Sequence, residues 1–540
     1  MPSLSEWHMW CELLDDVQTS GIYSDSKTFV DKPLKLPKAE VLKRFQGVLA
    51  SGTADLKSFI DECFDGEGQE LICCTPEGFT SSPGFLKKIK DKKLQDFARD
   101  LNAKWGELGR KMKPEVKEFP ERYSLLHVPE PFVVPGGRFR EFYYWDTYWA
   151  VQGMLLCELN SAVKSMLLNL IHLVNEYGFV PNGGRKYYLN RSQPPMLIPM
   201  VASYLSCTDD LPFLLENIAA LEKEYEFWEV NRRVSVKLGG QSVDYFQYRV
   251  DTDRPRDESY KEDMDLAASQ PTENRAKLFS DLASAAESGW DFSSRWYDPE
   301  KSSALSSIAT RNVVPVDLNA FLCWNTRLLM EFHQRLGNKS RASYYGEKYL
   351  EMLQHLEQLF WDESKGAWFD FHLNTGKRDT RFFASMIAPV FTGCHGGTQE
   401  EQERKVQKLL NYLKNEEPSV GSLECGIPTS LCESKQQWDY PNAWPPLQHM
   451  WVRAFQKSSN PVAQKFAYQL ASKWVRCNWS AWQLNNYMFE KYDAVNGKAG
   501  QGGEYEVQVG FGWSNGVILD FLNLYPDMVL DDPEMTLSWL

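Results

Sequence analysis

Leu318-Asn-Ala-Phe-Leu-Cys-Trp-Asn-Thr-Arg-Leu-Leu-Met-Glu-Phe-His-Gln-Arg-Leu336 and, after a short connection, Tyr344-Tyr-Gly-Glu-Lys-Tyr-Leu-Glu-Met-Leu-Gln-His-Leu-Glu-Gln-Leu-Phe360 read as a helical pair. The pattern recurs outward from there. Pro445–Phe455 and Val462–Trp482 read as a second pair. Ile198, Val201 and Leu205 begin a helix that is followed by another over Leu214–Trp228. Leu155, Leu159, Val163, Leu167 and Leu170 mark one helix, and Gly516–Leu524 closes the set. Upstream, residues 85–120 read as charged amphipathic helix, with Leu94, Phe97, Leu101 and Trp105 at helical spacing. Alternating β-type runs are scarce.

Long Gly-, Pro- and aromatic-rich connections separate these helices, at 134–144, 178–195, 288–296, 437–446 and 496–513. Long loops in a compact domain are usually functional. Paired helices with elaborate loops fit an all-α fold, an α/α toroid. No strong linker breaks the chain. The expectation is a single catalytic domain over 1–540: N-terminal decoration over 1–85, the toroid over 86–525 and a tail over 526–540.

Composition narrows the function. Aromatic residues make up 14%, with 19 Trp and 24 Tyr. Much of that is core, but it also suits carbohydrate, whose C–H faces stack on rings. The net charge of −14 and the absence of a basic stripe argue against nucleic acid and against a polyanionic substrate. The eight His show no metal-ligand spacing, and the 11 Cys are too sparse for a disulfide scaffold. No apolar run approaches the ~20 residues of a membrane helix. Met1–Gln18 lacks the apolar core of a secretory signal, and DDPEMTLSWL lacks the hydrophobic tail of a lipid-anchor signal. Cytoplasmic is therefore the literal reading, with an extracellular or membrane-anchored protein the alternative for a trimmed chain.

Six segments carry chemistry. They are Pro135-Gly-Gly-Arg-Phe-Arg-Glu-Phe-Tyr-Tyr-Trp-Asp-Thr-Tyr148, Pro181-Asn-Gly-Gly-Arg-Lys-Tyr-Tyr-Leu-Asn-Arg-Ser-Gln193, Arg254-Pro-Arg-Asp-Glu258, Glu287-Ser-Gly-Trp-Asp-Phe-Ser-Ser-Arg-Trp296, Gln437-Trp-Asp-Tyr-Pro-Asn-Ala-Trp-Pro-Pro446, and Phe489-Glu-Lys-Tyr-Asp493 with Gly502-Gly-Glu-Tyr505 and Gly510-Phe-Gly-Trp-Ser-Asn515. Most combine carboxylates or Arg with rings and turn residues. Rings desolvate the apolar faces of a sugar, carboxylates accept from its hydroxyls, and guanidinium forks donate to oxygen pairs. Singly, each could be a packed corner or a surface loop. Their joint occurrence points to a polyhydroxyl ligand.

The segments 135–148 and 437–446 resemble the two signatures of the trehalase family. Gly502-Gly-Glu-Tyr505 is similar to that family's glycine-rich element, although Asn496–Gly503 is less purely glycine than the common form. The resemblance extends from about residue 28 to about 525. It implies an (α/α)6 toroid that hydrolyses α,α-trehalose with inversion, by a protonated acid and a carboxylate base that activates water. By motif match the acid is Asp291 and the base Glu490. Trp290 and Phe292 can desolvate the acid and keep it protonated. The family's arginines match Arg138, Arg191 and Arg256. Phe139, Tyr143, Trp145, Asp146, Asn182, Gln193, Glu258, Gly289, Trp438 and Glu504 match its other substrate contacts. No metal or organic cofactor is implied. Two alternatives stay open: another α-glucosidase on the same toroid, and a sugar-binding protein that has lost hydrolysis.

Overall fold

The computed structural model describes residues 11–51, 56–301, 304–416 and 419–530. The N-terminal residues Met1–Trp10 of the segment read for a secretory signal, and the C-terminal DDPEMTLSWL, lie outside the described residues.

Six inner helical segments form a closed ring. In chain order they are Tyr144–Leu156, Leu197–Thr208, Val316–Arg335, the 3₁₀ turn Ala384–Ile387 running into Ala388–Thr392, Pro445–Gln456 and Gly512–Leu524. Each packs on the next, and the last packs on the first. Outside them lie Lys92–Leu108, Asn160–Tyr177, Leu211–Asn231, Lys339–Phe360, Gln399–Asn415 and Pro461–Asn485. The architecture is therefore an (α/α)6 toroid.

The two rings are built from different sequences. Gly512–Leu524 is buried along almost its whole surface, as an inner element must be. Gln399–Asn415 buries one stripe around Val406, Leu409, Leu410 and Leu413 and leaves charge outside. Five of the six outer helices open with a local side-chain cap, from Asp91, Asp210, Asn338, Thr398 or Asn460. None of the inner ones does. Distant groups serve three of them instead. Gln193 Oε1 accepts from Trp145 N at 3.0 Å, Tyr144 Oη from Leu197 N at 3.0 Å, and Asp370 Oδ1 from Val316 N at 2.9 Å. The inner ends are thus joined to the loops that build the site.

The ring closes where Tyr144–Leu156 meets Gly512–Leu524. A Cβ on Gly516 would stand 2.0 Å from Trp149 O, and one on Gly153 would stand 2.6 Å from Gly516 Cα. Only glycine permits this approach.

Several boundaries differ from the sequence reading. The helix read through Leu155–Leu170 is two, broken at Cys157–Leu159, where Glu158 takes φ +64°. The helix read within 85–120 spans only Lys92–Leu108, and Gly109–Met112 then pairs with Leu71–Cys73 and Phe132–Val133. A hairpin of Arg233–Leu238 and Gln241–Phe246, turned by Gly239-Gly240, escaped the sequence reading. Residues 13–64 contribute a separate small core around Leu13, Val17, Phe45 and Phe59. Among the described residues, no helix is long and apolar enough to cross a membrane.

One buried ion group locks the loop 288–296 to the ring. Arg295 donates to both oxygens of Asp370 (2.7 and 3.0 Å) and both of Asp317 (2.8 and 2.9 Å), with Trp290 and Trp296 against its guanidinium. Replacing Arg295 by Met leaves two buried carboxylates without their cation. We expect a stability loss of about 3–5 kcal/mol in urea denaturation. A loss below ~1 kcal/mol would mean that water takes over the role of the guanidinium.

Candidate active site

The chemistry-bearing segments converge at the N-terminal ends of the inner helices. Segment 135–148 runs into Tyr144–Leu156, 437–446 into Pro445–Gln456, and 510–515 into Gly512–Leu524. Segment 181–193 precedes Leu197–Thr208, and 287–296 precedes Val316–Arg335. Together they enclose a pocket of about 650 Å³, open to solvent on one side. All fifteen residues singled out from the sequence line it.

Rings form much of its wall. Trp438 stacks on Trp444 at 3.8 Å and on Trp290 at 5.3 Å, and Trp145 leans on Trp438 at 5.8 Å. Gly289, at φ +77°, allows Trp145 this position, since a Cβ there would lie 2.7 Å from the indole.

Asp291 sits beside Trp290 and Phe292, both fully buried. Burial is the main cause that lifts its carboxyl to about 7; Glu504 adds to it, while Arg256 and Arg191 oppose it. Its loop is fixed from behind. Asp439 accepts from Ser293 Oγ (2.9 Å) and Ser294 N (2.6 Å), and Gln437 Nε2 donates to Asp291 O at 2.5 Å. Asp291 makes no helix cap; Ser293 accepts from Arg295 N instead.

Glu490 is buried and ends no helix. Tyr505 Oη donates to its Oε1 at 2.8 Å, and Gln508 N to its Oε2 at 3.4 Å. Burial raises its carboxyl above the ordinary range, while Lys491, Tyr505, Gln508 N and Arg138 pull it back. Asp146 is a third carboxyl on this wall. Burial first, then the charges of Glu490 and Asp291, hold it well above the usual range. Asp291 and Glu490 line the same pocket.

The arginines are paired with carboxylates. Arg256 grips Asp263 through Nε (3.0 Å) and Nη2 (2.6 Å) and reaches Glu504 at 2.8 Å. Arg191 pairs with Glu258 and lies over the Tyr188 ring. Arg138 covers the Tyr505 ring at 4.4 Å and donates to Asp25 at 2.6 Å. Asn182 spends its amide protons on Ser192 O and Ala286 O.

The 496–510 segment is pinned across the site. Asn442 Nδ2 donates to Gln501 O at 2.6 Å, and Lys491 Nζ donates to Gln437 Oε1 at 2.7 Å and Gly502 O at 3.4 Å.

Other lining residues were not singled out. Tyr188, Trp444, Tyr505, Phe511 and Trp513 lie inside the quoted segments, so their aromatic character was the available signal. Lys27 had none. It reaches the site from the N-terminal region through a buried group in which Lys27 Nζ meets Asp31 (2.5 Å) and Glu141 (2.6 Å), and Arg185 meets Glu70 (2.7 Å).

A helical toroid whose loops gather carboxyls and arginines in one aromatic pocket defines a glycoside hydrolase. A sequence model of the trehalase family matches residues 21–526. Trehalase from Apis mellifera is 46% identical over 538 residues, covering 97% of this chain and 85% of the bee protein. Human trehalase is 46% identical over 537 residues, covering 98% and 91%. The structure of neutral trehalase from Saccharomyces cerevisiae superposes with a TM-score of 0.58 at 21% identity, over 76% of this chain and 80% of that one, and so shares the fold. The chain belongs to the trehalase family.

Proposed function

We propose that the protein hydrolyses α,α-trehalose to two glucose molecules with inversion at one anomeric carbon, Asp291 acting as general acid and Glu490 as general base. The observation that carries this reading is the contrast between the two carboxyls. Asp291 is held near 7 by burial and has no side-chain donor to stabilise its charge, whereas Glu490 accepts from Tyr505 and Gln508. Burial raises both, and the carboxyl whose charge is met by nearby donors is the better placed to serve as the base.

Asp291 gives its proton to the glycosidic oxygen as the C1–O bond breaks. Glu490 takes a proton from water, whose oxygen bonds to C1 from the opposite face. One glucose leaves in the α form and the other in the β form. Asp291 is left ionised and Glu490 protonated, and exchange with solvent resets both. Arg191 and Arg256 are neutralised by Glu258, Asp263 and Glu504. Their remaining donors suit neutral hydroxyls, and they orient the sugar before the bond breaks. Asp146, whose carboxyl is pushed well above the ordinary range first by burial and then by the charge of Glu490, lines the same pocket as both arginines.

Proton NMR of the protein with trehalose, read before mutarotation, tests this directly. Equal initial α- and β-glucose is expected. Only α-glucose would mean retention and end the two-carboxyl scheme with water between. Binding without glucose release would leave a sugar-binding protein.

The pH profile gives a second expectation. The acid works only when protonated, so kcat/KM should be retained below the pKa of Asp291 and lost as pH rises through about 7. Beyond that point it should fall by about tenfold per pH unit. An alkaline limb that begins only above ~pH 9 would remove the low-lying acid from the scheme.

A further inference from the structure

The arginines of the catalytic pocket find their carboxylates in two different ways. Arg191 and Arg256 pair with Glu258, Asp263 and Glu504, all from within the toroid. Arg138 pairs with Asp25, which lies 113 positions upstream in the N-terminal region. Among the described residues, no other carboxylate pairs with Arg138.

Asp25 is itself held in place. Its Oδ1 accepts from Lys27 N at 2.9 Å and its backbone oxygen from Thr28 N at 3.1 Å, which turns the chain into the short helix Lys27–Val30. That turn is tied to the toroid on both sides. Ser26 Oγ donates to Glu262 at 2.8 Å, Gln18 Nε2 donates to Ser26 O at 2.8 Å and to Asp257 O at 3.3 Å, and Lys27 Nζ meets Glu141 at 2.6 Å. The oxygen that caps this turn is the one that accepts from Arg138 Nη2 at 2.6 Å.

Arg138 in turn stands beside the base. Its guanidinium covers the Tyr505 ring at 4.4 Å, and Tyr505 Oη donates to Glu490 Oε1 at 2.8 Å. Its backbone N donates to Gln508 Oε1 at 2.8 Å, and Gln508 N donates to Glu490 Oε2 at 3.4 Å. Two routes therefore lead from Arg138 to Glu490.

We infer that Asp25 is a positioning residue: its carboxylate fixes the Arg138 guanidinium in the catalytic pocket, so the N-terminal segment is a working part of the site. What Arg138 is positioned to do rests on the reaction assigned above. The pair is 15% exposed on the arginine side and 31% on the aspartate side, so water screens it only in part. Charge-assisted hydrogen bonds are roughly twice as strong as neutral ones. Asparagine at position 25 keeps an acceptor for Lys27 N but holds the guanidinium more weakly.

The test is a double-mutant cycle in the intact protein, read on kcat/KM for trehalose. Asp25→Asn alone should lower it by about tenfold with the unfolding midpoint unchanged, and Asp25→Glu should recover most of the loss. In Arg138→Ala protein the same Asp25→Asn change should cost less than about twofold, because the group that Asp25 positions is gone. A tenfold cost that persists without Arg138, or no cost in the unaltered background, overturns the inference. Failure of the reaction assignment shows separately, as trehalose bound but not hydrolysed by the unaltered protein. The cycle is then read on the Kd for trehalose in calorimetry, where coupling between Asp25 and Arg138 is again expected and additivity again overturns it.

Discussion

Replacing Asp291 by Asn lowers kcat for trehalose by about two to four orders of magnitude and leaves the far-ultraviolet dichroism and unfolding midpoint unchanged. The substitution nearly conserves shape. It also conserves charge below about pH 7, where the carboxyl is mostly neutral. No side-chain hydrogen bond is lost, because the contact from Gln437 goes to the backbone oxygen of Asp291. What disappears is a proton that can be given away. A substrate whose leaving group needs no proton separates this from misfolding: α-glucosyl fluoride should lose far less than trehalose does. Equal losses on both would mean that Asp291 holds the sugar and does not act as acid. Asp146 would then be the next carboxyl to test, since it lines the same pocket and burial pushes it up too.

Glu490→Gln should cost a comparable ~10²–10⁴-fold in kcat, with a different signature. The amide keeps an acceptor for Tyr505 Oη, so the loop should stay in place. It cannot take the proton of the attacking water, and a better leaving group does not help. Both trehalose and glucosyl fluoride should therefore be lost together. In Glu490→Ala the vacated space admits azide, which needs no base, and β-glucosyl azide should form. Near-normal turnover by Glu490→Gln would move the base elsewhere, with Glu504, bound to Arg256, the first carboxylate to examine.

The helices were legible because their apolar periodicity is local. Lys339–Phe360 and its partner needed no tertiary information beyond an apolar stripe. The break at Glu158 was not legible. Leu155 and Leu159 keep helical spacing across it, while the left-handed turn of one residue leaves no compositional mark. The Gly239-Gly240 hairpin did leave one, a two-residue turn between runs that carry Val234, Val236 and Val243, and was passed over among stronger helical patterns.

The site divides in the same way. Rings and carboxylates in one quoted segment, such as Trp145 with Asp146, stay together in space because they share a helix end. Lys27 and Asp25 were invisible. Their partners Glu141 and Arg138 lie more than a hundred positions away, and nothing in a short run around Lys27 marks a buried cation. The Trp438–Asp439 pair was both things at once. The ring lines the pocket, and the carboxylate anchors the loop that carries Asp291.

The seam at Gly153 and Gly516 has a consequence for how the protein is made. The first inner helix waits for its neighbour until residues 512–524 have left the ribosome. Until then the apolar flank of Tyr144–Leu156 has nothing of its own to cover it, and the nascent chain is an open arc with a sticky end. Such an arc is a natural client for chaperones during synthesis. Premature termination short of residue 512 would leave an aggregation-prone fragment with no partly active ring.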